Sequence, residues 1–350
     1  MRQCLVRCID DFARNATMNT MIRLAGRVAQ VREAGIAMIL VLFSLIAGAV
    51  EPRFLTGETA RVVLLAIPLV LVAAMGQMIV IVARHVDLSM GSILGFSAIV
   101  GGLVFRDHPQ WPLVIGFLVA ILVGAGLGLF NGLIVAIFKL PSIIVTLGTL
   151  SLYRGILFTL SGARQIDPND IPESLIRMAQ TSPVGVPWIV IIAFAVALVV
   201  HCFLKHTEAG RHIYAVGSNP VAARLRGIRI FPVTILVFTL SGALAGLAGI
   251  FYAARFGYVN PGITGVGFEF TVIAAVVVGG VSINGGVGSV LATVLGVVLL
   301  GAVTVALPIL GTSGFWQNAL YGAIILIALV LGRAVRQGGL RGLSATKDAG

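Results

Sequence analysis

Charge is scarce in this chain: of 350 residues, 11% are Asp, Glu, Lys or Arg, and only three are lysine. Soluble domains carry about 25% charged residues, so the shortage excludes a water-soluble enzyme or binding domain of this length. Aromatics are few as well. With 43 Gly against 18 Phe, 5 Tyr and 3 Trp, the composition points to closely packed helices rather than to an aromatic-girdled membrane β-barrel. Three cysteines, Cys4, Cys8 and Cys202, make no disulfide framework, and the five histidines form no HExxH pair. A P-loop needs Gly-Lys-Ser/Thr so that its lysine reaches the phosphates, whereas Lys139, Lys205 and Lys347 follow Phe, Leu and Thr. Gly95-Phe-Ser97 and Gly280-Val-Ser282 are only halves of a nucleophile elbow. The sequence thus holds no catalytic set and no metal site, and it cannot hydrolyse ATP by itself.

Apolar residues are abundant. They make up 58% of the chain, and the mean hydropathy is +1.06. A spanning helix takes about 20 apolar residues, so the composition predicts an all-α polytopic membrane protein with about ten segments. These are read as Gly35 to Val50, Val62 to Ala83, Gly91 to Phe105, Pro112 to Phe138, Pro141 to Leu160, Val186 to Leu204, Phe231 to Ala254, Phe270 to Val281, Val290 to Leu310 and Phe315 to Leu331. At 1.5 Å per residue the third and eighth are too short for a full span and are read as half-helices, or as borrowing from their flanks. A basic segment (1–33), a transmembrane domain (34–332) and a tail (333–350) follow as the organisation. Residues 1–33 are too long and too charged for the n-region of a cleaved signal peptide, and Met18 and Met21 offer alternative starts.

The net charge of +11 is explained by topology rather than by nucleic acid, because Lys and Arg collect in cytoplasmic loops. With ten crossings, seventeen basic residues fall on one side and six on the other. Both termini are therefore predicted to be cytoplasmic. The one sizeable outer loop, Ser161 to Gly185, is broken by Pro168, Pro172 and Pro183 and is a place to dock an external partner. The one sizeable inner loop, Lys205 to Ile230, reads as a turn at Gly217-Ser218-Asn219 followed by a short basic helix from Pro220. Either a contact for a cytoplasmic subunit or a plain solvated loop fits it.

A weak internal repeat lays Ile79 to Leu94 over Val276 to Leu291, pairing Asp87 with Asn284 and Ser92 with Ser289. It is parallel if every segment crosses and inverted if one short segment does not. Polar groups at membrane depth are expensive and default to pathway, pairing or packing roles. Asp87 either caps the third segment or meets the solute. Ser89, Ser92, Asn131, Thr146, Thr149, Ser151, Tyr153 and Asn284 supply neutral donors and acceptors suited to hydroxyl-rich solutes, and serine and threonine also bond along their own helices. Arg154, inside the fifth segment, either snorkels outward or pairs with an acid such as Glu269. Small residues at four-residue spacing in Val123 to Gly128 and Ser241 to Gly249 allow close helix approach.

Four stretches carry a resemblance: His85 to Ser92 (HVDLSMGS), Leu140 to Gly155 (LPSIIVTLGTLSLYRG), Thr207 to Gly227 (TEAGRHIYAVGSNPVAARLRG) and Ala274 to Ser289 (AAVVVGGVSINGGVGS). In order and spacing they resemble the permease subunits of ribose-type ABC importers, which serve monosaccharides and a furanose quorum signal. The resemblance runs from about residue 35 to 335. It departs where the family usually has Gly-Gly before Asp-Leu-Ser and Arg84-His85 stands instead. It implies a multi-pass protein of the bacterial inner membrane, forming the pathway for a pentose, hexose, deoxysugar or related furanose. Implied partners are a second permease subunit (identical or a sister), a cytoplasmic ABC ATPase that holds the ATP and Mg, and a periplasmic or extracellular sugar-binding protein. The chain itself needs no cofactor. The family's ATPase-coupling loop falls on Glu208, Gly210, Gly217, Asn219, Pro220, Arg224 and Gly227. The alternative from the residues alone is an ion-coupled secondary sugar transporter with Asp87 as its coupling carboxylate. A branched-chain amino acid, as a zwitterion, would call for placed charges.

Overall fold

The computed structural model describes residues 33–180, 185–313 and 316–326. The basic N-terminal segment up to residue 32, with Cys4, Cys8, Met18 and Met21, and the tail from 333 lie outside the described residues. The described α-helices begin, in chain order, with α1 (Glu33–Val50), α2 (Gly57–Val82), α3 (Met90–Asp107), α4 (Leu113–Phe138), α5 (Ser142–Ser161), α6 (Glu173–Gln180), α7 (Trp188–His206), α8 (Glu208–Ser218), α9 (Pro220–Leu225), α10 (Ile230–Phe256), α11 (Phe268–Val278) and α12 (Val290–Ile309). Residues 316–326 continue as a last described helix, tied to α12 where the Thr304 and Tyr321 hydroxyls meet at 2.7 Å.

Eight of these helices (α1 to α5, α7, α10 and α12) are long and apolar enough to cross a membrane. The third segment, short in the sequence reading, gains residues at both ends and reaches eighteen. The eighth does not. α11 has eleven residues and starts at depth, after a loop (257–267) that re-enters between helices. Gly265 of that loop packs on Gly91, sixteen residues from the end of α3, or about 24 Å along it.

Burial separates an inner from an outer layer. α2 is buried along most of its length, with α3 and α10 beside it, while α1, α4, α5 and α7 keep broad apolar faces open. Open leucines and isoleucines such as Leu122, Ile144 and Leu198 are what a lipid-facing surface requires. α4 closes on α10 through glycines. A methyl group added to Gly124 would lie 2.9 Å from the Gly246 Cα, and one on Gly128 would lie 3.0 Å from the Gly242 Cα and overlap the Phe238 carbonyl oxygen.

The two copies of the internal repeat meet each other. Both are helix–loop–helix units, α2–α3 and α11–α12, whose loops lie at the same end of the molecule. Gly286 N–H donates to the Val82 carbonyl at 2.8 Å, and Arg84 Nε donates to the Asn284 carbonyl at 2.8 Å. The repeat is therefore parallel. Arg84 has φ of +69°, a left-handed conformation that favours glycine. Here an arginine occupies it and is tied across the junction by its guanidinium.

The Lys205 to Ile230 loop differs in detail from expectation. Gly217 and Ser218 are not a turn but the last residues of α8; only Asn219 breaks the chain. Thr207 caps α8, accepting from Gly210 N–H at 3.0 Å. Asn219 caps α9, accepting from Val221 and Ala222 N–H at 3.0 and 3.1 Å, with Pro220 as the first helical residue, where a missing N–H costs nothing. At the opposite end, Ile166 and Val259 exchange backbone hydrogen bonds at 2.9 and 3.1 Å, joining the Ser161 to Gly185 loop to the re-entrant one. That loop carries α6, whose Leu175 and Ala179 are buried.

Candidate functional site

The site grows from the loop between α2 and α3. Ser241, which faces Asp87, lies eleven residues into α10, or about 16 Å from its start, so the loop sits well inside the bundle. Irregular backbone at that depth needs internal partners, and the polar residues supply them. Val86 N–H donates to Ser142 Oγ and Leu88 N–H to Thr146 Oγ1, both at 3.1 Å. Asp87, fully buried, accepts from Ser89 N–H at 2.9 Å and from the Ser89 hydroxyl at 2.6 Å. Its other oxygen accepts from Ser241 at 3.4 Å. Ser89 Oγ accepts from Asn131 Nδ2 at 2.8 Å, and the Tyr153 hydroxyl donates to Asn131 Oδ1 at 2.9 Å, lying 2.8 Å from the Leu127 carbonyl.

Four of the predicted residues, Asp87, Ser89, Asn131 and Tyr153, thus form one buried chain joining the loop to α4 and α5. Asp87 does not cap the free N–H groups of α3's first turn; it fixes Ser89, the residue from which α3 starts. Ser92 donates to the Leu150 carbonyl at 2.8 Å. Thr146 bonds along its own helix to Ser142 at 2.9 Å, and Thr149 bonds back to Thr146 at 3.3 Å, as helical threonines do. Asn284 stands apart, exposed at the junction of the two repeat loops. Arg154 and Glu269 attract each other electrostatically without closing to a 4.0 Å ion pair. Arg154 Nη1 donates to the Pro261 and Thr264 carbonyls at 3.1 and 2.8 Å, pinning the re-entrant loop to α5. Glu269 is buried against Gly91.

Removing Asp87 tests the chain. An unpaired buried donor costs about 1–3 kcal/mol, and Asp87→Ala strands both donors of Ser89. In detergent it is expected to lower the melting midpoint by several degrees, and Asp87→Asn, which keeps an acceptor, by less. Equal stability of Asp87→Ala and the parent would show that the network holds nothing.

A second feature joins this loop to the surface. α8 buries Gly210, Ile213, Val216 and Gly217. A methyl group on Gly217 would overlap the Val82 carbonyl oxygen and lie 2.7 Å from Gly286 N, while one on Gly286 would lie 2.6 Å from the Ser218 Cα. The tip of α8 is therefore seated where the two repeat loops cross. Tyr214 adds a bond from its hydroxyl to the Gly288 carbonyl at 2.8 Å; burial pushes this phenol above its usual pKa, so it remains a protonated donor at neutral pH. α9 beyond it presents Val221 and Leu225, 70% and 85% exposed, beside exposed Arg224 and Arg226. His212 lies 3.5 Å from Glu208 one turn apart, and Gly227 ends the motif at φ +82°.

Sequence reasoning passed over Gln77 and read Ser97 and Ser241 only as part of a half elbow and of a small-residue run; all three are buried. Gln77 had a plain signal: it is the single polar side chain between Arg61 and Arg84, apart from methionine sulfur.

An all-α bundle with discontinuous helices meeting at depth, and an external helix seated on their junction, defines a membrane transport subunit. The chain belongs to the family described as "Branched-chain amino acid transport system / permease component", which matches residues 59–329. It is a permease subunit of an ABC importer, a multi-pass protein of the inner membrane. It is 33% identical to the Autoinducer 2 import system permease protein LsrC of Salmonella paratyphi B over 318 residues, 91% of this chain and 90% of that one. The protein of the same name from Yersinia enterocolitica is 35% identical over 302 residues, covering 85% and 81%. That from Enterobacter sp. is 34% identical over 299 residues, covering 85% of each. No solved structure matches the chain. Nothing in these relationships supports an ion-coupled transporter.

Proposed function

We propose that this chain forms, with a second permease subunit, the translocation pathway for a neutral monosaccharide or related furanose, and that a separate ATPase drives it through α8 and α9. The observation that carries the coupling is the seat of Gly217 between Val82 and Gly286. A force applied to α9 from outside reaches both repeat loops through backbone contact. α9 suits such a partner, since an exposed basic and apolar tip on a short capped helix fits an acidic, apolar groove. This reading makes the α8–α9 end cytoplasmic, as the distribution of basic residues does, and puts a solute-binding protein at the opposite face.

The chemistry favours a neutral solute. Among the described residues at depth, hydroxyls and amides dominate, Asp87 is committed to Ser89 and Ser241, and Arg154 to two carbonyls. Glu269, the other buried carboxylate here, lies in the field of Arg154, so each of these charges already has a neighbour within the fold, although the family's description names branched-chain amino acids. The curated relatives are named for autoinducer 2. On this reading the chain Asp87, Ser89, Asn131, Tyr153, with Thr146 and Thr149, braces the pathway's inner loop. Ser92 and Arg154 tie its flanks, and Asn284 marks the junction beneath α8.

Arg224→Glu reverses the charge at the tip of α9 without touching the bundle. ATP-dependent uptake is expected to fall by about tenfold or more, in line with losing one close charge contact at an interface, while the protein reaches the membrane at parental levels. The assay uses whichever of autoinducer 2, ribose, rhamnose or xylose the parent cells accumulate. Undiminished uptake would remove α9 from the coupling path.

A further inference from the structure

We infer that the Gln77 carboxamide is a contact made in the opposite access state: its hydrogen bonds are unmade here and form when α2 shifts. Gln77 is 1% exposed, and neither its Nε2 nor its Oε1 has a hydrogen-bond partner among the described residues. A primary amide offers two donors and two acceptor sites, so this one leaves all of them unmet in the most buried helix of the bundle. Burying an unbonded polar group costs about 1–3 kcal/mol by protein mutational measures. A methionine would fill nearly the same volume without that penalty, and Met75 and Met78 show that methionine is at home on this stretch. The group is not placed here to stabilise this arrangement.

Its position gives it a role. Gln77 lies five residues before Val82, or about 7.5 Å along the helix, and Val82 is where the tip of α8 touches α2. It follows Gly76, which packs on Ser241, a hydrogen-bond donor to Asp87. The side chains from Val62 to Ala83 are otherwise apolar, so a shift of α2 against its neighbours breaks no side-chain polar contact of that stretch. Gln77 alone gains by it. A group unsatisfied in one state and satisfied in the other biases the equilibrium by the difference. Gln77 therefore raises this state toward its alternative and keeps both within reach of the ATPase.

This rests on the reading that α8 transmits ATPase motion to α2, and the test separates the two. Gln77→Met removes the hydrogen-bonding groups and keeps the shape; Gln77→Asn keeps the amide one methylene shorter. In the full complex, Gln77→Met is expected to melt at a higher temperature than the parent and to take up solute about tenfold more slowly, because this state is now favoured. Gln77→Asn is expected to retain more uptake than Gln77→Met. Parental uptake by Gln77→Met would overturn the inference, since the amide would then be idle. A lowered melting temperature would overturn it too, because the amide would then have partners in this state. So would better uptake by Met than by Asn, because packing would then set the rate. If these variants fail as described while Arg224→Glu still blocks uptake, only the role of Gln77 falls. If Arg224→Glu also transports normally, the coupling reading falls with it.

Discussion

Gly217→Val is expected to abolish ATP-driven uptake while leaving the protein in the membrane. Even one added carbon overlaps the Val82 carbonyl oxygen, and the other neighbour is backbone as well, Gly286 N at 2.7 Å. Neither can rotate away as a side chain would. The tip of α8 must lift from the junction, and overpacking of this kind costs about 1–3 kcal/mol. The cost falls on a peripheral helix, so the bundle of α2, α3 and α10 survives and membrane levels should match the parent. Transmission does not survive, because α8 then no longer touches both loops. Uptake below about a tenth of parental is the expected reading, by the same linkage of contact to state, with Gly217→Ala intermediate. Ser218→Ala, at an exposed position that already carries a Cβ, should transport normally. Full uptake by Gly217→Val would show that α8 moves independently of the loops.

The second large effect concerns assembly rather than coupling. Gly128→Val is expected to prevent the folded protein from accumulating. The new side chain would enter the backbone of α10 at Phe238 and Gly242, and α4 would have to stand away along its whole contact. Helices in lipid associate by close packing, without a hydrophobic force to compensate a gap. Gly126, two residues away on the same helix, has nothing within 4 Å of an added methyl group, and Gly126→Val should accumulate normally. The pair separates helix packing from mere loss of glycine. Equal levels of the two variants by immunoblot and fluorescence-detected chromatography would contradict the α4–α10 contact.

Much of this architecture is legible in the sequence, for a physical reason. A bilayer demands long apolar runs, and each of the ten predicted segments corresponds to a described helix or to part of one. What the runs do not carry is depth. α3 and α11 looked alike in length, yet α3 is completed by Met90, Arg106 and Asp107, whereas the missing half of α11 is the irregular Asn260 to Gly267 stretch held by Arg154. The pairing of Arg154 with Glu269 is only part of the arrangement, since the two charges attract but the hydrogen bonds of Arg154 go to carbonyls of a re-entrant loop, which no residue-type pattern reveals. Asp87, Asn131 and Tyr153 were each identifiable as costly polar groups, but their union depends on how α4 and α5 pack, which lies beyond any local signal. Gly217 was singled out by resemblance alone, as part of a coupling loop. Its spacing looked like a turn, and its true constraint is the backbone of two distant loops.

The central claim is that this chain is the membrane half of an ATP-driven importer, with α8 and α9 as its contact to the motor. The most direct measurement is affinity purification of the tagged chain from gently solubilised native membranes, with mass spectrometry of the proteins that accompany it. The account predicts an ATPase carrying P-loops, retained by the parent and lost from Arg224→Glu. Recovery of the chain without any ATPase, in a detergent that keeps known ABC complexes together, would contradict it.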